Sequence, residues 1–511
     1  MFEFSGGGCA ALDFDRDGWP DLYFTQGCRW PVREDDFTRL DRLYRNLGTG
    51  SFADVTHAAG LRENRFSGGP AAGDFDNDGF PDLYVANTGA NRLYRNNGDG
   101  TFDDVTEIAG VGDEQWSTSC LIADLNGDGL PDIYSTNYVK GRDVFTRICR
   151  HDDGRPRMCM PFHFSGAQDQ IYLNLGDGRF RNVTPGSGIE VEDGKGLGVV
   201  AADLCGRGTL DLFVANDTVM NSLFENRTKG PGGQLAFVES GLSRGVALNR
   251  DGRAEGCMGI AVGDVDGDGR QDLFVTNFHL ESNTLYLQQS PGTFADRTRE
   301  SGLVQSSLSM LGFGAQFLDA DLDGWLDLIV TNGHIDDLRR YGRPYRMPTQ
   351  FYANRGQGRF AELPAETLGP FFQQKALGRG LARLDWNRDG REDAAISFLD
   401  RPAALLTNTT RDVGNRLSMT FSGVSSPRDA TGVTVRAKLG KRTIVRQLTS
   451  GGGYQAANQQ HVVIGLGSAS EVARLEVRWP SGRRQVFDNP PINRELLLVE
   501  NEPKPFPLAA P

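Results

Sequence analysis

Hydrophobic and polar positions alternate in a fixed order that returns along most of the chain. A run of small residues comes first, as in GGGCAAL from Gly6, GGPAAG from Gly68, MGIAVG from Met258 and GFGAQFL from Gly312. A polar, Asp- and Gly-rich stretch follows. Next comes a strand of alternating β-branched or aromatic residues: DLYFT at Asp21, DLYVAN at Asp82, DIYSTN at Asp132, DLFVAN at Asp211, DLFVTN at Asp272 and DLIVTN at Asp327. Two further apolar segments close each unit. One is of the type DRLYRN at Asp41 and NRLYRN at Asn91, the other of the type FADVT at Phe52 and FDDVT at Phe102. Period-two alternation bounded by Gly and Asn turns predicts strands. The expected fold is therefore all-β, with four short strands per unit. Seven units, with polar stretches starting at Asp13, Asp74, Asp124, Asp203, Asp264, Asp319 and Asp385, predict a seven-bladed β-propeller. The Gly/Ala-rich strand suits the innermost position, where blades crowd the axis.

After residue 408 the pattern changes. LSMTFSG, GVTVRAKLG, RTIVRQLT, HVVIGLG, ARLEVRWP and ELLLVEN are strand candidates separated by Gly and Asn-Pro turns. The expected organisation is a propeller over 1–408, a linker over 409–414, a small β-sandwich-like domain over 415–500 and a disordered tail over 501–511. The small domain reads either as a cap over the last blade or as a platform for a ligand or partner.

Composition narrows the class. With 38% hydrophobic and 24% charged residues the chain is an ordinary globular one rather than a disordered one. No apolar run approaches the about 18 residues that a membrane-spanning helix needs. A formal charge of −13 argues against nucleic acid as a partner.

The acids are concentrated in one motif, D-x-[DN]-x-D-G-x-x-D. Calcium takes about six to eight hard oxygen ligands from carboxylates, amides and carbonyls. Positions 1, 3 and 5 supply three side-chain oxygens, position 7 a carbonyl, and position 9 closes the site. In the first copy these are Asp13, Asp15, Asp17, the Trp19 carbonyl and Asp21; in the second, Asp74, Asp76, Asp78, Phe80 and Asp82. The third copy offers Asp124, Asn126, Asp128, Leu130 and Asp132. The fifth offers Asp264, Asp266, Asp268, Arg270 and Asp272, and the sixth Asp319, Asp321, Asp323, Trp325 and Asp327. The seventh offers Asp385, Asn387, Asp389, Arg391 and Asp393. About six structural calcium ions are expected, which would bring the chain close to neutrality. In the fourth copy Cys205 and Arg207 replace positions 3 and 5. The loop from Asp203 is expected to be empty, with Arg207 as an internal substitute charge.

These repeats resemble FG-GAP (VCBS-type) repeats, the blades of integrin-α-like propellers. RDATGVTV from Arg428, GGGYQ from Gly451, VVIGLG from Val462 and LEVRWPSG from Leu475 resemble the ASPIC/UnbV domain. Together they resemble the cartilage-acidic-protein-like family over essentially the whole chain, with further matches at QGCRWP, NGHI and the insert CRHDDGRPRMC. The resemblance implies a calcium-bound propeller followed by a small β domain, extracellular or periplasmic. It supports two functions: an adhesion-type binding protein for a glycan, protein or small ligand, or a cofactor-independent enzyme of specialised, enediyne-like metabolism. The seventh repeat lacks an FADVT-type segment, and Met1 already falls in the first inner strand, so that blade is expected to be one strand short or the chain to lack the start of a longer precursor. No signal peptide is visible.

Of seven cysteines, Cys149 and Cys159 bracket a basic insert and form the candidate disulfide. Cys9, Cys120, Cys205 and Cys257 lie in or beside inner strands as small buried residues. Gly241–Gly245 matches G-x-S-x-G but lacks the strand–turn–helix context of a nucleophile elbow, so Ser243 is not taken as catalytic. The loops after the second strands carry Asn137, Asn216, Asn277 and Asn332, with Asp217, His279 and His334 beside them. Asparagine there either stabilises its own turn or joins its equivalents as a ligand face at one end of the axis. In the second reading Asp217, His279 and His334 are the titratable candidates for acid–base work. A monomer is expected.

Overall fold

The computed structural model describes residues 2–33 and 35–508. Seven antiparallel sheets form the propeller. Their first strands are Cys9–Leu12, Phe66–Gly73, Ser117–Ala123, Gly196–Ala202, Ile260–Gly263, Gly312–Leu318 and Gly378–Leu384. Each lies beside the first strands of both neighbouring blades, and the first blade meets the seventh, so the ring is closed. Small residues are needed here. A Cβ on Gly259 would sit 2.0 Å from the carbonyl oxygen of Phe313 in the next blade. Six blades have four strands of their own. The seventh ends after three, at Ala404–Leu406. Phe2–Phe4 form a single 3-10 turn whose two rings are buried, and the first inner strand starts only at Cys9. Met1 lies outside the described residues.

The LYRN-type segment explains how neighbouring blades lock. Its last residue hydrogen-bonds the backbone of the preceding blade in all seven copies. Asn96 Nδ2 donates to the Phe14 carbonyl at 2.8 Å, Asn174 to Phe75, Asn226 to Leu125, Gln288 to Leu204, Asn354 to Val265 and Asn408 to Ala320. Asn46 donates to Trp386 of the seventh blade at 2.8 Å and closes the circle. Every acceptor is the second residue of an acidic loop. The backbone N–H of the same residue is held by the ninth residue of its own loop, as in Asn46 N to Asp21 Oδ1 at 2.7 Å. A buried amide with both ends committed specifies the pairing, because an unmade bond there leaves a desolvated polar group.

The C-terminal domain is a sandwich of two four-stranded sheets. One contains Asn415–Ser422, Val462–Gly467 and Glu495–Val499; the other contains Thr434–Leu439, Arg442–Gln447, Arg474–Arg478 and Arg484–Asp488. Alternating inward residues such as Leu417, Val435, Ile464, Leu475 and Trp479 form its core. The tail expected to be disordered instead adds an edge strand: Phe506–Pro507 pairs with Leu496 and Leu497, and the Leu508 N–H donates to the Glu495 carbonyl.

Between two sandwich strands the chain leaves the domain and enters the propeller axis. Ser450–Gly451 pairs with the inner strand of blade four, and Ala456–Ala457 with that of blade one. Gly453 bridges Ile260 of blade five, and Tyr454 packs against Phe313 of blade six at 5.0 Å between ring centres. The Gln455 N–H donates to Ser119 Oγ of blade three, and Asn458 Oδ1 accepts the Arg383 N–H of blade seven. Gln455 also lies against Gly68 and Gly69 of blade two. This axial segment therefore touches every blade. The sandwich itself rests on the acidic-loop end, with Arg442 bonded to the Asp323 and Gly324 carbonyls, Arg478 paired with Asp203 and Glu495 with Arg388. Among the described residues no helix is long and apolar enough to cross a membrane.

Candidate metal loops and the opposite face

Each acidic loop joins a first strand to a second strand of its blade. Its sharp bend needs left-handed backbone at positions 4 and 6. Position 6 is glycine throughout, as at Gly18 (φ 89°), while position 4 is non-glycine in four copies, Arg16, Asn77, Leu322 and Arg388, with φ of 55–58°. Loop N–H groups hold the carboxylates in place. Gly18 N donates to Asp13 Oδ2 at 3.0 Å, and Trp19 N to Asp17 Oδ1 at 2.9 Å. Four loops bring three carboxylates together with one oxygen of each within 4.8 Å of the others: Asp13/Asp15/Asp17, Asp74/Asp76/Asp78, Asp264/Asp266/Asp268 and Asp319/Asp321/Asp323.

These four groups could hold a metal ion. The fit is tested by their unsatisfied atoms. Asp13, Asp74 and Asp319 each keep a buried Oδ1 with no hydrogen-bond partner. An anionic oxygen held dry and unpaired is costly, and a hard cation is the species that offsets it. Burial, reinforced by the neighbouring aspartates, pushes the Asp13 carboxyl up to about 6 and that of Asp74 to about 7. In the loops with asparagine at position 3, Asn126 Nδ2 donates to Asp128 and Asn387 Nδ2 to Asp389. The carboxylates at position 9 do more than sequence spacing indicates. Asp21, Asp82, Asp132, Asp272, Asp327 and Asp393 each accept two backbone N–H groups, such as Phe14 N and Asn46 N on Asp21. Any metal bond they form uses their remaining lone pairs.

The fourth loop is built differently. Arg207 Nη2 bonds Asp211 Oδ1 at 2.6 Å and Nη1 bonds Glu225 Oε2 at 3.0 Å, while Arg478 of the sandwich reaches Asp203 Oδ2 at 3.3 Å. Burial raises the Glu225 carboxyl, but hydrogen bonds from Arg244 and Ser240 and the charges of Arg244 and Arg227 outweigh it and hold it at about 2.

The other end of the axis is lined by aromatic side chains. Phe2, Phe4, Phe66, Trp116, Tyr138 and Tyr454 fill it as one apolar cluster. The four asparagines are all buried and pin their own surroundings. Asn137 Nδ2 donates to Asp113 and the Gln168 carbonyl, Asn216 to the Met220 carbonyl, Asn277 to Glu255 and Asn332 to the Pro348 carbonyl. His279 and His334 are adjacent, with ring centres 5.6 Å apart. His334 Nδ1 accepts the Asp336 N–H, its Nε2 is buried without a partner, and burial together with His279 lowers its pKa to about 4. Asp217 accepts the Tyr138 hydroxyl. Ser243 lies in a short helical turn and donates to the Ser240 carbonyl.

A disulfide joins Cys149 to Cys159, with 5.2 Å between Cα atoms, and folds the insert over this end. The Met158 N–H donates to Asp336 and thereby ties the insert from blade three to blade six. Cys9, Cys120, Cys205 and Cys257 are buried free thiols. Sequence reasoning missed Arg379, which is fully buried. Its Nε donates to the Phe4 carbonyl at 2.6 Å, its guanidinium lies 3.8 Å from the Phe313 ring centre, and burial lowers its pKa to about 10. The available signal was a pair of arginines, Arg379 and Arg383, within an otherwise small and apolar inner strand, GRGLARL.

Family models match both parts of the chain. A family described as FG-GAP-like repeat matches residues 13–85, 74–135, 203–275 and 264–330. The family described as ASPIC and UnbV matches residues 423–505. The chain thus belongs to the FG-GAP-repeat propellers that carry an ASPIC and UnbV domain. Among curated relatives, Cartilage acidic protein 1 of Homo sapiens is 26% identical over 318 residues, covering 61% of this chain and 44% of that protein. The Xenopus tropicalis protein of the same name is 28% identical over 330 residues, covering 62% and 46%. The match spans a little under half the length of these relatives. Among solved structures, an Agrocybe aegerita lectin that recognises non-reducing terminal N-acetylglucosamine superposes with a TM-score of 0.42 at 16% identity, over 79% of this chain and 94% of the lectin. A rhamnogalacturonan lyase gives 0.31 at 13%, over 79% and 90%.

Proposed function

We propose that this chain is a calcium-stabilised extracellular binding or adhesion-type propeller. The observation that carries the calcium reading is the trio of buried, unpartnered oxygens on Asp13, Asp74 and Asp319, each within a carboxylate triad. Calcium suits oxygen-only donors in a flexible loop. It would supply charge neutralisation and rigidity, while the chain's own N–H groups orient the carboxylates. The Cys149–Cys159 disulfide supports an oxidising compartment, as does likeness to proteins named for cartilage. The filled axis favours binding at the surface over chemistry in an axial funnel. Native mass spectrometry of the purified chain tests the metal reading. The expected result is a calcium series ending at about six, with the four carboxylate triads filling first. A plateau below four would overturn it.

A further inference from the structure

One cavity at the insert end brings Asp217 and Tyr138 together with side chains not described so far. It encloses about 140 Å³ beneath Met158–Pro161 of the disulfide insert. Its walls include Tyr138, Met258 and Phe278. Two carboxylates, Asp217 and Glu281, enter this apolar surround. Asp217 accepts the Tyr138 hydroxyl, and Glu281 Oε2 accepts the Gly256 N–H at 2.8 Å. Neither has an ion-pair partner among the described residues. Burial, with Glu281 nearby, pushes the Asp217 carboxyl up to about 6, and burial also raises Glu281.

We propose that this cavity binds a compact organic ammonium, a protonated amine on a benzene-sized apolar body, with the charge against Asp217 and Glu281. The proposal rests on the binding reading above and names its ligand class. Size is one argument: an apolar protein cavity of about 150 Å³ is enough for benzene. Wall chemistry is the second. Aromatic faces attract a desolvated cation, and thioethers adapt to irregular apolar shapes. Charge is the third. Two half-dry carboxylates without a cation are penalised, and a bound ammonium removes the penalty. A divalent metal would demand about six oxygens that these walls do not provide.

Calorimetric titration of the full chain with benzylammonium, benzyl alcohol and benzoate tests the assignment. Benzylammonium should bind, and the alcohol and the carboxylate should bind at least about tenfold more weakly. Asp217→Asn and Glu281→Gln should each weaken benzylammonium by a similar factor while keeping the unfolding midpoint. Trp116, whose ring centre lies 5.0 Å from that of Tyr138, gives an independent fluorescence signal. No benzylammonium binding by the unaltered chain, equal binding of the alcohol, or undiminished affinity in both variants would each overturn the proposal. The ligand series on the unaltered chain decides the question even if a variant fails to fold. Failure here leaves the calcium count untouched, and a low calcium count leaves this titration interpretable.

Discussion

The loop from Asp13 and the loop from Asp203 occupy equivalent places in blades one and four, yet they satisfy their carboxylates in different ways. The first gathers Asp13, Asp15 and Asp17, with Arg45 paired to Asp15 and Asp17, and leaves Asp13 Oδ1 unpartnered. The fourth has lost two acids and places the Arg207 guanidinium between Asp211 and Glu225. The lesson is that this position in a blade demands positive charge. Where the chain keeps its acids, an arginine such as Arg45 meets only some of them, and the proposed calcium would supply the remaining charge; where it loses two of them, the Arg207 guanidinium takes over. The sandwich reinforces the second solution by adding Arg478.

The most severe way to break this comparison is to remove metal. Chelation should destabilise blades one, two, five and six and leave blade four intact. Each site at a hundred times its dissociation constant contributes about 2.7 kcal/mol, so calorimetry should show a large fall in the unfolding midpoint. Hydrogen exchange should place the loosening in the triad loops. Next in size is Arg207→Ala. It removes the cation beside Asp211, which keeps the Cys205 and Asn226 N–H groups, while Glu225 keeps Arg227 and Arg244; with the guanidinium partly exposed the expected loss is about 2 kcal/mol by denaturant unfolding. Combining Cys205→Asp with Arg207→Asp should recover part of that loss in calcium and add one ion to the native mass spectrum. An unchanged count would show that the donors alone do not make the site. A smaller effect, about 1–2 kcal/mol, is expected for Asn46→Ala, which removes the bond that closes the ring and leaves the Trp386 carbonyl unpaired. Asn226→Ala should match it if the staple acts alike beside metal and guanidinium loops. Arg478→Ala should be smallest, under about 1 kcal/mol, because that pair is partly open to solvent.

Much of this was legible in the sequence because it is local and repeated. Small-residue strands, alternating strands and acidic loops recur within each repeat, so the seven-bladed ring could be read from the period, and the following sandwich from strand candidates where that period stops. The staples could not. Asn46 and Trp386 are far apart in the chain, and nothing near either residue announces the other. The asparagines at 137, 216, 277 and 332 invited reading as a convergent face because they recur at one end of the blades. Burial turned their amides toward neighbouring carbonyls and carboxylates instead. The tail looked disordered from its prolines, but Leu496 and Leu497 offered a free strand edge. The segment that fills the axis was visible as the GGGYQ motif, with nothing in it to mark its place at the axis. Its role depends on seven strands that all lie outside its own neighbourhood in the chain.

That segment sets a constraint on time as well as on space. A chain made from its N-terminus completes all seven blades before Gly451–Gln460 exists. Until then the inner strands face an unfilled core, and the ring has to stay open or loose enough to be threaded. The last fifth of the protein therefore decides when the first four fifths become native. Shortening the chain at residue 408 should yield a hollow ring rather than a free-standing domain.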